Sequence, residues 1–183
     1  ASDFPVTRAS YPASWELTWP GASYYTHYTF NDNSIVDAMD AMLEAARIYD
    51  EPRYLAAAEK SGEFILLAQM PEPQPGWAQQ YDRDMHPAWA RQFEPPSITG
   101  GESQSALRAL LLLLYRETGH RKYLEPIPRT LAYYQRSMLP DIARSGTPKS
   151  SDDSAKDSNS KIQHWTGVLN PLHHEPKIKR VIW

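Results

Sequence analysis

The chain contains no cysteine, which excludes a disulfide framework and thiol chemistry. It also lacks a long apolar run: the longest, Leu110 to Leu114, falls far short of the about 20 residues that span a bilayer, so we expect no membrane partner. Neither sign of charge dominates, and the net charge of -3 gives no electrostatic support for binding nucleic acid. The 183 residues, 41% of them hydrophobic, suit one globular domain with a sizeable core.

Proline and tryptophan are instead abundant, with 16 and 6 residues respectively. The prolines cluster at 71–76 and 95–96, which predicts long loops between the helices. Aromatic residues in such loops can line a carbohydrate site or anchor the loops to the core, and both interpretations remain open for each of them.

Apolar residues at three- and four-residue steps predict four helices, over residues 34–49, 52–70, 102–118 and 122–139. We expect Asp32 or Asn33 to cap the first helix and Gly119 to end the third. Pro128 should delay or bend the start of the fourth helix. No segment shows the alternation typical of a β-strand.

The two helical pairs resemble each other. Tyr54-Leu55 and Tyr123-Leu124 are separated by 69 residues, and the same offset relates Phe64-Ile65 to Tyr133-Tyr134. A repeated helical hairpin predicts an all-α fold, with hairpins of an (α/α) toroid joined by long loops. About two of three hairpins are recognisable. We therefore expect a partial toroid over residues 1–142 and a polar linker with a poorly structured tail over 143–183.

Acidic residues fall at equivalent places in the repeat. The offset of 69 carries Asp32 to the residue beside Glu102, so both should lie on one rim of a toroid, within reach of Asp82 in the connecting loop. These three carboxylates, with Asn31 and Gln80 as neutral oxygens, are typical of a calcium site. Alternatively, Asp32 only caps its helix and Glu102 only interacts favourably with the helix dipole.

Three stretches together resemble a known family, the family ten polysaccharide lyases, which are pectate lyases. They are Thr29-Phe30-Asn31-Asp32, then Gly76-Trp77 with Gln80-Tyr81-Asp82, then Ala90-Arg91 with Phe93-Glu94, Pro96-Ser97-Ile98 and Gly101-Glu102-Ser103. The resemblance covers about residues 28 to 142, and it implies an (α/α)3 toroid. It also implies Ca2+-assisted β-elimination of polygalacturonate, with an arginine near the C5 proton.

The resemblance assigns roles to particular residues. Asp32, Asp82 and Glu102 are the expected Ca2+ ligands, and Arg91 and Arg144 are the candidates for the base or for a clamp on the uronate. An arginine base needs alkaline pH or a strongly lowered pKa, because a free guanidinium is protonated. The candidates for substrate binding are Trp77, Gln80, Arg91, Glu94 and Asn31.

The family implies a secreted or periplasmic protein. The Ala-Arg-Phe-Tyr segment that Ile142-Ala143-Arg144 resembles continues here as Ser145-Gly146, so we expect an incomplete copy of the family. Three alternatives therefore remain: a non-catalytic remnant that binds pectin, a helical scaffold, and a glycoside hydrolase using two carboxylates such as Asp32 and Glu102.

Overall fold

Helices form most of the regular structure in the computed structural model, which describes residues 7–21, 24–138, 166–168 and 177–179. The first long helix, α1, spans Ser34–Tyr49, as predicted. Its buried face is formed by Val36, Met39 and Leu43. These residues recur at three- and four-residue steps, so the apolar period determines which side of α1 faces the core.

The second helix, α2, spans Pro52–Ala68 and packs against α1. Pro52 occupies its first turn, where no backbone N–H is needed. The helix ends two residues before the expected Met70, because Gln69 is extended and its side-chain Nε2 donates to Thr130 Oγ1 at 2.8 Å. Tertiary hydrogen bonding therefore overrides helix propensity at this end.

A continuous helical run follows the long loop. It comprises α3 over Gly100–Arg108, a π-helical stretch over Ala109–Tyr115, and α4 over Arg116–Thr118. Gly119 ends this run at φ 68°, as predicted from its lack of a Cβ atom.

The fourth predicted helix is divided in two. A 3-10 helix covers Arg121–Leu124, and α5 covers Ile127–Arg136. Pro126 and Pro128 explain the division, since a proline is tolerated only in the first turn of an α-helix. The expected delay of this helix is confirmed.

Short strands also form, although the sequence shows no β alternation. β1 (Tyr28–Thr29) pairs antiparallel with β2 (Gln80–Tyr81). β3 (Ile98–Thr99), β4 (Thr166–Val168) and β5 (Lys177–Lys179) form an antiparallel sheet in that order. Strands of two or three residues are too short to produce a recognisable period, which is why the sequence pattern misses them.

Buried aromatic side chains hold the long loop against α2. Trp77 Nε1 donates to Ile65 O at 2.8 Å, and the Tyr81 hydroxyl donates to Ala68 O at 2.6 Å. The helical prediction is confirmed by this architecture, whereas the toroid arrangement and the count of two hairpins out of three stay predictions. Among the described residues, no helix combines the length and apolar character needed to cross a bilayer.

Gly76 lies where the loop meets α3, and adding a side chain there should destabilise the fold. An alanine Cβ at this position would lie 2.7 Å from Ile98 Cγ2 and 2.9 Å from Ser103 Oγ. Both neighbours are buried and Ile98 is β-branched, so they have little freedom to move. We expect Gly76→Ala to lower the free energy of unfolding by about 2 kcal/mol in urea denaturation.

Gly119→Asn provides the matched control. Nothing lies within 4 Å of a Cβ built at Gly119, and asparagine tolerates the positive φ of that position. We expect Gly119→Asn to lower the free energy of unfolding by less than about 1 kcal/mol. Equal losses in the two variants would contradict the close approach at Gly76.

Candidate functional site

The centre of the candidate site is a 3-10 turn, Asn31–Asn33, that leads into α1. Asp32 and Asn33 both have φ 58°, a left-handed conformation that costs energy for residues other than glycine. Asn33 occupies the N-cap position of α1, one of the two positions predicted, but its side chain makes no capping hydrogen bond. Instead, Asn33 Oδ1 accepts a hydrogen bond from Ser105 Oγ at 2.7 Å, and the Asp32 side chain is exposed. Two consecutive left-handed residues at one turn motivate the hypothesis of a functional site here.

A buried carboxylate links this turn to the loop that precedes α3. Glu94 is only 7% exposed, and its Oε2 accepts from Arg91 Nε at 2.8 Å and from the Arg91 backbone N–H at 3.2 Å. Its Oε1 accepts from the Arg91 guanidinium and from Asn31 Nδ2, the latter at 3.3 Å. The hydrogen bonds from the Arg91 side chain hold the pKa of Glu94 below its ordinary value, against the opposing effect of burial.

The first turns of α3 form the third side of the site. The 31–33 turn packs on this helix, and Ser105 is the residue that bonds Asn33. Glu102 precedes Ser105 by three residues and so lies on the same face of α3. Its Oε2 accepts a hydrogen bond from the hydroxyl of Thr99. The turn at Asn31–Asn33 therefore meets the single stretch that contains Glu94 and Glu102, more than 60 residues further along the chain.

Asp82 lies elsewhere. Tyr28 pairs with Tyr81 and Thr29 with Gln80, so Asp82 follows β2 at the end where β1 begins, whereas Asp32 follows the end of β1. At about 3.3 Å per residue, the two residues from Tyr28 to Phe30 separate the two ends of this ladder by roughly 7 Å along the backbone. The role of Asp82 as a ligand shared with Asp32 stays a prediction.

Asp82 instead organises its own turn. Its Oδ1 accepts from the backbone N–H groups of Asp84 and His86, each at 2.9 Å. Ligand atoms of these three residues lie within 4.8 Å of one another, and this group includes neither Asp32 nor Glu102. Since the backbone bonds account for the position of the Asp82 carboxylate, the group is explained as a side-chain-stabilised turn.

Two residues expected to bind substrate are buried. Trp77 has no exposed surface and packs in the core, so it supports the loop and does not face a ligand. Gln80 is 2% exposed and its Nε2 donates to Ala88 O at 2.7 Å. The position of Trp77 therefore reflects loop packing, an interpretation that the sequence left open for aromatic residues. Gln80 Oε1, by contrast, is buried without a hydrogen-bond partner among the described residues.

Asn31 carries an oxygen whose hydrogen-bonding capacity is not used within the described residues. Its Oδ1 is buried and has no hydrogen-bond partner among them, while its Nδ2 is fixed by Glu94. The exposed Asp32 carboxylate is the next side chain along the turn. Amide and carboxylate oxygens are ligand types that Ca2+ takes, so the donor types of these neighbouring residues fit this ion.

Of the two candidate arginines, only Arg91 lies among the described residues. Arg91 lies at the site and its guanidinium is paired with Glu94, which favours the protonated form and argues against Arg91 as a base. Arg144 lies outside the described residues. The sequence did not predict that Asn33 and Ser105 bond each other at the site. The available signal was the spacing of three residues between Glu102 and Ser105, which places them on one face of α3.

Comparison with known proteins identifies the family of the chain. The sequence profile of the pectic acid lyase family matches residues 3–166. The chain belongs to this family. The match extends beyond residues 28 to 142, to which the motif resemblance was limited, and it runs from the N-terminal segment to Thr166, the first residue of β4. No curated protein and no solved structure matches the chain.

The Glu94 cluster should make stability depend on pH. Because Arg91 lowers the pKa of Glu94 from its ordinary value of 4.5, the contribution of the carboxylate is complete above that pH and is lost as the pH falls through the lowered value. We expect Glu94→Gln to cost about 1–2 kcal/mol at neutral pH, and the difference from wild type to shrink below pH 4.5 in urea denaturation. A difference that is constant or grows in acid would contradict the pairing.

Proposed function

We propose that the protein is a pectate lyase that cleaves polygalacturonate by Ca2+-assisted β-elimination. The observation that carries the proposal is the convergence of the family's motif segments on the Glu94 carboxylate, with Asn31 on one side and Arg91 on the other. Membership of the pectic acid lyase family supports pectate as the substrate class. A secreted or periplasmic location follows from that substrate.

The reaction explains why a site needs these residue types. The C5 hydrogen of galacturonate lies next to a carboxylate, so its removal as a proton adds negative charge to a group that is already anionic. The electron pair left on C5 forms a double bond to C4, and the C4–O bond to the neighbouring sugar breaks. Positive charge fixed near the uronate carboxylate therefore lowers the barrier.

Arg91 supplies such a fixed charge. Glu94 holds its guanidinium from one side, so the cation is positioned before substrate arrives and its orientation costs nothing at the moment of reaction. We assign Arg91 the role of a clamp on the uronate. Arg144 remains our candidate for the base that accepts the C5 proton.

Asp32 and Asn31 are the residues that we assign to calcium, with Glu102 as a further ligand. When bound, the ion neutralises charge on the uronate carboxylate and so makes the C5 hydrogen more acidic. The left-handed conformation of Asp32 keeps its carboxylate exposed, and Glu94 fixes the Asn31 amide group. These constraints orient the oxygens in advance.

Removing the charge of Asp32 should nearly abolish activity. Asp32→Asn suits the test, because asparagine also tolerates a positive φ and changes the charge with little change in shape. We expect kcat/KM on polygalacturonate to fall at least about 100-fold, measured from the ultraviolet absorbance of the unsaturated product at alkaline pH with added Ca2+. The Ca2+ concentration for half-maximal activity should rise in parallel.

Asp37→Asn is the matched control. Asp37 is also an exposed carboxylate, and it lies in the first turn of α1 beyond the strained turn. Its loss should change kcat/KM by less than about twofold. Retained turnover in Asp32→Asn, or equal loss in both variants, would remove Asp32 from the site.

A further inference from the structure

An exposed aromatic surface adjoins the candidate site and has no role in the chemistry above. It consists of Trp19 and Phe93, which are 41% and 62% exposed. Phe93 lies in the turn over residues 90–94, and Trp19 is hydrogen-bonded to Ala90 in the same turn. The turn is closed by the hydrogen bonds from Glu94 N to Arg91 O at 2.8 Å and from Ala90 N to Glu94 O at 3.3 Å. We call this pair the aromatic platform.

Trp19 is exposed yet fixed in orientation. Its Nε1 donates to Ala90 O at 3.0 Å, so one edge of the indole ring is attached to the turn. Trp89 makes the reverse connection, with Nε1 donating to Glu16 O at 3.2 Å. These two bonds hold the N-terminal segment along the loop. An anchored indole loses little conformational entropy when a ligand covers its free face.

Phe93 is supported from one side as well. The guanidinium of Arg91 lies over its ring, with the Cζ atom 4.7 Å from the ring centroid. The same guanidinium is bonded to Glu94, which in turn bonds Asn31 at the centre of the site. The platform is therefore continuous with the site through one chain of contacts.

The chemistry of this surface suits a sugar. Flat aromatic faces stack on the C–H faces of pyranose rings, and a cation at the edge of the platform can donate to hydroxyl or carboxylate oxygens. A stable protein partner would need about 600–1,000 Å2 on each side, whereas the aromatic surface here is two rings. The observations therefore favour a carbohydrate chain.

We propose that Trp19 and Phe93 form a stacking subsite for a pyranose ring of the pectate chain, outside the pair of sugars at which the bond breaks. This proposal rests on the proposed function for the identity of the polymer. It predicts a dependence on chain length, because only a substrate long enough to reach from the Asn31–Asn33 turn to the platform can use the subsite.

Binding and turnover should therefore be measured separately. Binding is followed by intrinsic tryptophan fluorescence or calorimetry with trigalacturonate and hexagalacturonate in the presence of a chelator, so that no turnover occurs. Phe93→Ala and Trp19→Ala should each raise the Kd for hexagalacturonate about fivefold. The Kd for trigalacturonate should change by less than about twofold in either variant. Phe93→Tyr, which keeps the flat ring, should bind like wild type.

Tyr49→Ala controls for the loss of an exposed aromatic ring. Tyr49 is 64% exposed and lies at the last residue of α1, the end opposite the Asn31–Asn33 turn. It should bind both oligomers as wild type does. Phe93→Ala alone carries the test if Trp19→Ala fails to fold, since the Phe93 ring is mostly exposed.

The proposed subsite would be overturned if Phe93→Ala left the Kd for hexagalacturonate unchanged. It would also be overturned if the wild-type protein did not bind hexagalacturonate. A failure of the proposed function looks different: wild type would bind hexagalacturonate through the platform but release no unsaturated product when Ca2+ is supplied. The two failures are thus distinguished by one set of proteins.

Discussion

The Glu94 carboxylate is the group on which the arrangement of the site depends. It is nearly buried, and its two oxygens accept hydrogen bonds from the Arg91 side chain, the Arg91 backbone and the Asn31 amide. A buried charge without such partners would be very costly, so the turn and the loop are both held by the requirement to satisfy it. The same contacts fix the cation that we assign to the uronate and leave Asn31 Oδ1 without a hydrogen-bond partner among the described residues.

The helical framework could be predicted from sequence with small errors at the ends. The bounds of α1 were predicted without error because its apolar period is uninterrupted from Ile35 onward. Errors arise where side chains from distant segments compete with the backbone, as at Gln69 after α2. The short strands are set by pairing between distant segments, such as Tyr28 with Tyr81, which a local pattern does not encode.

The site was predicted in part. Motif order identified the segments around Asn31, Glu94 and Glu102, and these do meet. The sequence could not show that Asp82 follows β2 at the end of the strand pair where β1 begins, whereas Asp32 follows the end of β1. That depends on the direction in which the two strands pair. Nor could it separate Trp77, which anchors the loop in the core, from Trp19, which remains exposed although both are loop tryptophans. Only the packing in three dimensions shows whether such a residue supports the fold or is free to contact a ligand.

Cleavage in water enriched in 18O tests the central claim most directly, because elimination and hydrolysis differ in whether solvent enters the product. Products from polygalacturonate and Ca2+ would be analysed by mass spectrometry. The account predicts unsaturated non-reducing ends and no 18O incorporated in the bond-breaking step, once exchange at reducing ends is corrected with a saturated standard. Saturated non-reducing ends, together with solvent 18O on the anomeric carbon of the new reducing ends beyond the level set by exchange, would contradict it.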